Sequence, residues 1–154
     1  MTATLKAPTV GHKPAQPAPV VFVILDRSKA RFFVDDDAGL RELAGPFAVW
    51  TRGGRFHQGR VHLAGVGEKR YHHIENEWHR RHYHTVAERL EACLKAEQAI
   101  GVIVGGAHRT VEEFRSGLSK AIDRQVLRVM ALNEATPQKR EMREAAEASR
   151  HFMP

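Results

Sequence analysis

The residues best suited to chemistry lie in one short glycine-containing segment, Arg52-Gly53-Gly54-Arg55-Phe56-His57-Gln58-Gly59-Arg60. Two adjacent glycines let the backbone approach a crowded ligand closely, because neither carries a Cβ atom. The flanking arginines can pair with phosphate groups, and phosphate contacts position a protein on nucleic acid. The segment therefore predicts a ligand rich in phosphate, of which RNA is the leading candidate.

Positive charge continues beyond this segment. Between Thr51 and His84, seven arginines and lysines are set against three glutamates, so four of the six net positive charges of the chain lie there. Aromatic side chains are interleaved with them and can stack on bases. The residues predicted to bind RNA are Arg52, Gly53, Gly54, Arg55, Gln58, Arg60, Lys69, Arg70, Arg80 and Arg81. The alternative interpretation is a solvated basic face beside aromatic residues of the core.

Seven of the ten histidines also lie between His57 and His84. On a helix, His79 and His82 share one face and are weak candidates for metal ligands. At ~100° per residue, His84 points about 140° from His79 and about 160° from His82, so one helix cannot present all three. With a single cysteine and no His-Glu-x-x-His pattern, we expect neither a metal nor another cofactor.

Two further patterns invite comparison with known chemistry. Gly101-Val-Ile-Val-Gly105-Gly106 lacks the Gly-x-Gly-x-x-Gly spacing of a dinucleotide site, so a tight turn from strand to helix is the interpretation. Carboxylates that pair can hold magnesium in a nuclease, and the candidates are Asp26, Asp35 to Asp37, and Glu75 or Glu77. The aspartates lie at predicted turns, where local hydrogen bonding favours this residue type.

Length and composition restrict the class of protein. A chain of 154 residues has room for one domain, and its 42% hydrophobic and 27% charged residues are typical of globular proteins. A net charge of +6 favours polyanionic partners. Cys93 has no second cysteine to pair with, and no apolar run approaches the roughly 18 residues of a membrane span. We therefore expect a cytoplasmic protein that does not bind membranes.

The chain divides into three parts. Residues 1–19 hold four of the seven prolines and predict a disordered arm. Residues 20–135 predict one α/β domain, and residues 136–154 predict a helix whose thin apolar face, Met142, Ala145 and Ala146, needs a partner to dock against.

Within the central part, short apolar runs predict strands and longer periodic stretches predict helices. The predicted strands are 20–25, 30–34, 40–44, 100–104 and 126–132. A loop spans about 45–74, Asn76 caps a helix to about Glu97, and Thr110 with Glu113 forms a capping box for a helix that continues through Ile122. The order β-β-β-α-β-α-β-α calls for a mixed sheet with helices on its faces.

Several of these stretches together resemble one family. They are Leu25-Asp26-Arg27, Lys29-Ala30-Arg31-Phe32-Phe33, the glycine pair in a basic loop, the long helix, 100–106, and the helix with Phe114 and Leu118. They resemble the central domain of archaeal and eukaryotic class I peptide-chain release factors, of Pelota-type rescue factors and of their bacterial relatives, over about residues 20–150. The resemblance implies a ribonuclease H-like domain without nuclease carboxylates, whose glycine loop reaches the peptidyl transferase centre of the large ribosomal subunit.

The sequence departs from that family in two ways. Release factors carry Gly-Gly-Gln where this chain has Gly53-Gly54-Arg55, so Gln58 becomes the candidate catalytic residue. Release factors also add a codon-reading domain before this one and a partner-binding domain after it, and neither fits in this chain. The closer analogy is therefore to relatives similar to the Balon-type hibernation factors, and the last helix is interpreted as the stub of a third domain.

We accordingly expect a non-catalytic, ribosome-associated module of the hibernation or rescue type, which binds rRNA and tRNA near the A site. The expected partner is the rRNA of the large subunit, with tRNA and an elongation factor as further candidates. Two alternatives stay open. One is hydrolysis of the peptidyl-tRNA ester with Gln58 positioning water, and the other is a metal-dependent nuclease or zinc-binding protein.

Overall fold

The computed structural model describes the backbone of residues 17–43, 47–48 and 66–152 and the side chains of residues 17–43 and 76–152. The described elements are β1 (Val20–Leu25), β2 (Lys29–Asp36), β3 (Gly39–Glu42), β4 (Phe47–Ala48), α1 (Val66–Glu97), β5 (Gly101–Gly105), α2 (His108–Ser116), α3 (Lys120–Asp123), β6 (Val126–Met130) and α4 (Lys139–His151). None of the described helices combines the length and the apolar character that a membrane crossing requires.

The strands form one mixed sheet in the order β3-β2-β1-β5-β6. The first three strands are antiparallel, whereas β5 and β6 run parallel to β1. The short strand β4 pairs with the start of β2, beyond the end of β3. This mixed sheet confirms the fold class that the order of elements predicted and that the family resemblance implied.

The strand β1 lies at the centre of the sheet, and all six of its residues are buried. Because successive side chains of a strand point to opposite faces, Val21 and Val23 pack on one face with α1 and α2, whereas Phe22 and Ile24 pack on the other face with α4. Burial on both faces explains why β1 is an unbroken apolar run. The sheet therefore separates two hydrophobic layers.

The thin apolar face of α4 docks on the sheet itself. Met142, Ala145 and Ala146 are buried against the cluster that contains Phe22 and Phe33. At the other end of α4, Arg150 forms a buried ion pair with Asp35 of β2, with Nη2 2.6 Å from Oδ1. The partner that this helix needs is thus the domain's own sheet.

Three predicted helix boundaries are wrong. Asn76 lies inside α1, which begins ten residues earlier at Val66, so Asn76 is not a cap. Apolar periodicity marks only the part of a helix that packs on a core. Among the side chains of α1 that the structure describes, the first buried one is His82, so the start of the helix has no such pattern. Thr110 is buried inside α2 rather than capping it, since α2 begins at His108 after Ala107, which makes no side-chain cap. The predicted helix is also interrupted after Ser116, and Ser119 caps the separate α3.

The strands were predicted more closely than the helices. β3 and β6 end two residues earlier than predicted, β2 continues two residues further, to Asp36, and β4 was not predicted. The predicted tight turn after β5 is confirmed at Gly106, where φ is +149° and an added Cβ would lie 2.5 Å from the carbonyl oxygen of Leu25. Only glycine fits this close approach of the β5 end to β1.

Candidate functional site

Six of the residues predicted to bind RNA lie outside the described residues. They are Arg52, Gly53, Gly54, Arg55, Gln58 and Arg60. Lys69 and Arg70 lie in the first two turns of α1, and their side chains also fall outside the description. Arg80 and Arg81 are described in full. The predicted site is therefore known in the structure through α1, the helix that follows the glycine segment.

The helix α1 links that segment to the hydrophobic core. Its 32 residues make it about 48 Å long at 1.5 Å per residue. His82, its first buried residue of known exposure, lies about 24 Å along the axis from Val66. A buried stripe through Val86, Leu90 and Leu94 then anchors the second half of α1 on the sheet. The helix start is therefore held well away from this anchored half.

Arg80 and Arg81 lie on the exposed side of α1, where their side chains are 75% and 67% exposed. Both pair with Glu77, at 3.1 Å from Arg80 Nη1 and at 3.8 Å from Arg81 Nε. Two arginines share one carboxylate, so the group keeps a net positive charge. Exposed pairs of this kind contribute little stability, so a phosphate group can compete for either guanidinium.

A groove of about 610 Å³ lies between α1, the β1–β2 turn and α2. Arg80, His79 and His84 line its α1 side, and Arg27 from the turn lines the facing side. Arg27 belongs to the Leu25-Asp26-Arg27 stretch, but its nearness to Arg80 arises only when the turn and α1 are packed together. Sequence reasoning therefore gave Arg27 no role, although it adds a half-exposed guanidinium to the basic surface.

One wall of the groove is held by a hydrogen bond between α1 and α2. Tyr83 Oη donates to Glu113 Oε1 at 2.9 Å. The other oxygen of Glu113 lies 3.8 Å from Arg27 and 3.5 Å from Arg109. Burial, followed by the Glu113 carboxylate, raises the pKa of Tyr83, so the phenol stays neutral and keeps donating. Glu113, predicted as part of a capping box, instead joins the two helices.

The two histidines named as weak metal candidates lie in different surroundings. His82 is fully buried, and its Nε2 lies 3.0 Å from the carbonyl oxygen of Asp26. Because that oxygen can only accept, Nε2 carries the proton, and the buried Nδ1 has no hydrogen-bond partner among the described residues. Burial lowers the pKa of His82. His79 instead lines the groove, and no three His, Cys, Asp or Glu side chains of the described residues are grouped to hold a metal ion.

The carboxylates considered for magnesium take part in turns and ion pairs. Asp26 Oδ1 accepts from the backbone N–H groups of Ser28 and Lys29, at 2.8 and 2.6 Å. Asp36 Oδ1 accepts from the N–H of Ala38 at 2.9 Å in the next turn, and Asp35 pairs with Arg150. The interpretation of Asp26 as a turn residue is confirmed, and Asp36 supports the next turn from the last position of β2. The placement of Asp35 in that turn is wrong, because Asp35 is buried inside β2 and pairs with strands on both sides. Glu75 has a side chain outside the description.

The sheet order and the helices on its two faces define a single α/β domain with a mixed sheet, here with a long helix that follows a glycine segment. The chain belongs to the bacterial archaeo-eukaryotic release factor family 2, whose model matches residues 19–151. The resemblance drawn from the sequence is thereby confirmed at the level of the family.

A solved structure shows the same fold. The chain is similar to an archaeal translation termination factor, aRF1, at a TM-score of 0.58 and 19% sequence identity. The match covers 86% of this chain and 36% of the aRF1 chain, so this chain corresponds to about a third of that protein. A second match, an archaeal protein, has a TM-score of 0.48, 20% identity and the same coverage. No curated protein matches this chain.

Proposed function

We propose that this domain is a ribosome-binding module, in which the basic Gly53-Gly54 segment and the exposed side of α1 contact rRNA or tRNA near the A site. The observation that carries the proposal is that a 32-residue helix follows the glycine segment in a chain of the release-factor family. A stiff helix of this length can carry a loop away from the domain core and into a narrow site.

Two exposed arginines on the described part of the helix support contact with RNA. Arg80 and Arg81 expose most of their side chains, and Arg27 extends the positive surface across the groove. Arginine suits RNA because its planar guanidinium can pair with a phosphate or stack on a base. The proposed contacts therefore run from the glycine segment along α1 to the β1–β2 turn.

The residue after the glycine pair favours binding over hydrolysis. Arg55 carries only hydrogen-bond donors and stays protonated, so it can hold a phosphate but cannot accept a proton from water. A module of the hibernation or rescue type, which occupies the A site without cleaving the ester, fits this chemistry. Hydrolysis through Gln58 is the alternative, which a peptide-release assay distinguishes.

Sedimentation with ribosomes tests the proposal. The protein is sedimented through sucrose with 70S ribosomes and with each subunit, at low and moderate salt. We expect binding to the large subunit that Arg55→Glu with Arg60→Glu abolishes and that Arg80→Glu with Arg81→Glu weakens. The logarithm of the affinity falls as the logarithm of the salt concentration rises, and each arginine–phosphate pair that a substitution removes should make this fall shallower by about 0.7–0.9.

The control is Lys139→Glu with Arg140→Glu, the same charge change on the exposed start of α4. This control should bind ribosomes as the wild type does. If it lost as much binding as the Arg55→Glu, Arg60→Glu variant, the change in net charge alone would explain the loss. Unchanged binding of the Arg55 and Arg60 variant refutes the proposal. If loaded ribosomes release peptide and Gln58→Ala stops the release, the domain is instead a hydrolase.

A further inference from the structure

The strand β6 forms one edge of the sheet. It pairs with β5 on one side, and no described residue pairs with it on the other. An edge strand presents unpaired N–H and C=O groups that can accept a further strand. Edge strands that serve as binding sites use these groups for affinity and neighbouring pockets for specificity.

An open groove runs beside this edge, between β6 and the end of α4. It measures about 600 Å³ and is lined by Val126, Leu127, Arg128, Ala148, Ser149 and Phe152. Phe152 is 87% exposed and Val129 is 41% exposed, the two exposed large hydrophobic residues of the described chain. Apolar surface therefore adjoins the unpaired backbone.

The edge also carries two arginine side chains that have no partner among the described residues. Arg124, which directly precedes β6, and Arg128, within it, are both exposed, and neither side chain forms a hydrogen bond or ion pair with a described residue. Every other arginine with a described side chain has a hydrogen-bonding, ionic or electrostatic partner, such as Glu113 for Arg109. Among the described residues, the unpaired guanidinium charge is therefore concentrated at the edge strand.

We propose that β6 and the adjoining groove, the β6 edge, bind an extended segment of a partner protein in which apolar and acidic residues alternate. The segment adds a strand to β6, its acidic side chains pair with Arg124 and Arg128, and its apolar side chains lie against Leu127 and Phe152. This site is separate from the proposed RNA-contacting surface, since β6 and α4 carry none of those residues.

Charge argues against the other occupants. The chain's own residues 1–16 contain lysines and no acidic residue, so they do not complement the arginines. In an antiparallel pair of two β6 strands centred on Arg128, the two copies of Arg128 would face each other, and like charges directly opposite are destabilising. RNA would satisfy the arginines but leave the backbone groups and the apolar groove unused.

Fluorescence anisotropy with the full chain tests the β6 edge. The probe is a labelled eight-residue peptide in which glutamate and valine alternate, compared with a lysine–valine analogue and with a peptide N-methylated at alternate amides. We expect saturable binding of the glutamate peptide, at least tenfold weaker binding in Arg128→Glu, and a loss also in Phe152→Ser, where the exposed side chain is not needed for folding. The analogue and the methylated peptide should not bind, because they lack the charge or the hydrogen-bond donors.

Arg140→Glu is the matched control, because it makes the same charge change at the far end of α4 on a side chain that is 90% exposed. Its affinity should stay within twofold of the wild type. Absence of binding by the glutamate peptide, equal losses in Arg128→Glu and Arg140→Glu, or equal binding of the methylated peptide would each overturn the proposal. Binding of a decauridylate that depends on Arg128, without peptide binding, would make the edge an RNA site instead.

Discussion

Removing the Arg150 side chain tests how α4 is held on the sheet. Arg150 Nη2 donates to Asp35 Oδ1 at 2.6 Å and to the Asp35 carbonyl oxygen at 2.7 Å, and Nε donates to the carbonyl oxygen of Ala18 at 2.7 Å. The side chains of Asp35 and Arg150 are 5% and 13% exposed. Water therefore has little access to the carboxylate when the guanidinium is removed.

We expect Arg150→Ala to lower the free energy of unfolding by about 3 kcal/mol, the lower end of the usual 3–5 kcal/mol for breaking one side of a buried ion pair. The lower end applies because Arg143 Nε remains 3.7 Å from Asp35 Oδ2 and balances part of the charge. Urea unfolding followed by far-UV circular dichroism, extrapolated linearly to water, measures the change.

Two variants make the interpretation specific. Arg143→Ala removes a side chain that is 63% exposed and should cost at most about 1 kcal/mol. Asp35→Val combined with Arg150→Met removes both charges and should recover most of the stability, because no charge is left buried alone. If Arg150→Ala costs no more than Arg143→Ala, the apolar face of α4 alone holds the helix and our reasoning about the ion pair is refuted.

Three further predictions concern buried or crowded groups. Burial lowers the pKa of His82 below its ordinary 6.5, so the unfolded chain binds a proton on this imidazole more readily than the folded chain does. The contribution of neutral His82 to the free energy of unfolding is therefore fully present above about pH 6.5 and is lost as the pH falls towards the lowered pKa of the folded state. Urea unfolding at pH 7.5 and 5.5 should show a smaller pH effect in His82→Phe, and an equal effect contradicts this account. Burial, followed by the charge of Glu97, raises the pKa of the Cys93 thiol from 9.0 to about 11. At pH 7.5, Ellman's reagent should therefore label Cys93 in the folded protein about 100-fold more slowly than in the urea-unfolded protein. Equal labelling rates would show an accessible, ordinary thiol. Gly39 and Gly106 both have a positive φ, so alanine at either position introduces a backbone strain of about 1–3 kcal/mol. Gly106→Ala should lower the free energy of unfolding more than Gly39→Ala, because only at Gly106 does a backbone oxygen lie 2.5 Å from the added Cβ. Equal urea midpoints for the two variants would contradict this.

Strands were predictable because their signal is local. The run Val20 to Leu25 is apolar at every position, and a strand buried on both faces needs that pattern. The start of α1 was not predictable, because the stretch from Val66 to Asn76 carries histidines and charges without an apolar period. The same limit hid β4, whose two residues are too short to form a pattern.

The candidate site was predictable in its charge but not in its arrangement. The basic character of Arg80 and Arg81 follows from the sequence, and their exposure agrees with it. The place of Arg27 beside Arg80 does not, since the two residues are 53 positions apart. The roles of Glu113, which joins α2 to Tyr83, and of Arg128, which lies on an edge strand, likewise depend on which elements become neighbours.

Composition, apolar periodicity and the glycine and proline positions thus specified an α/β domain, its mixed sheet and its basic segment, because each of these depends on interactions between residues close in the chain. Tertiary packing alone decided that Asp35 meets Arg150 across 115 positions and that His82 contacts the Asp26 carbonyl across 56. Such contacts form only when hydrophobic burial brings distant elements together, and no local pattern records which polar groups will then share a buried space.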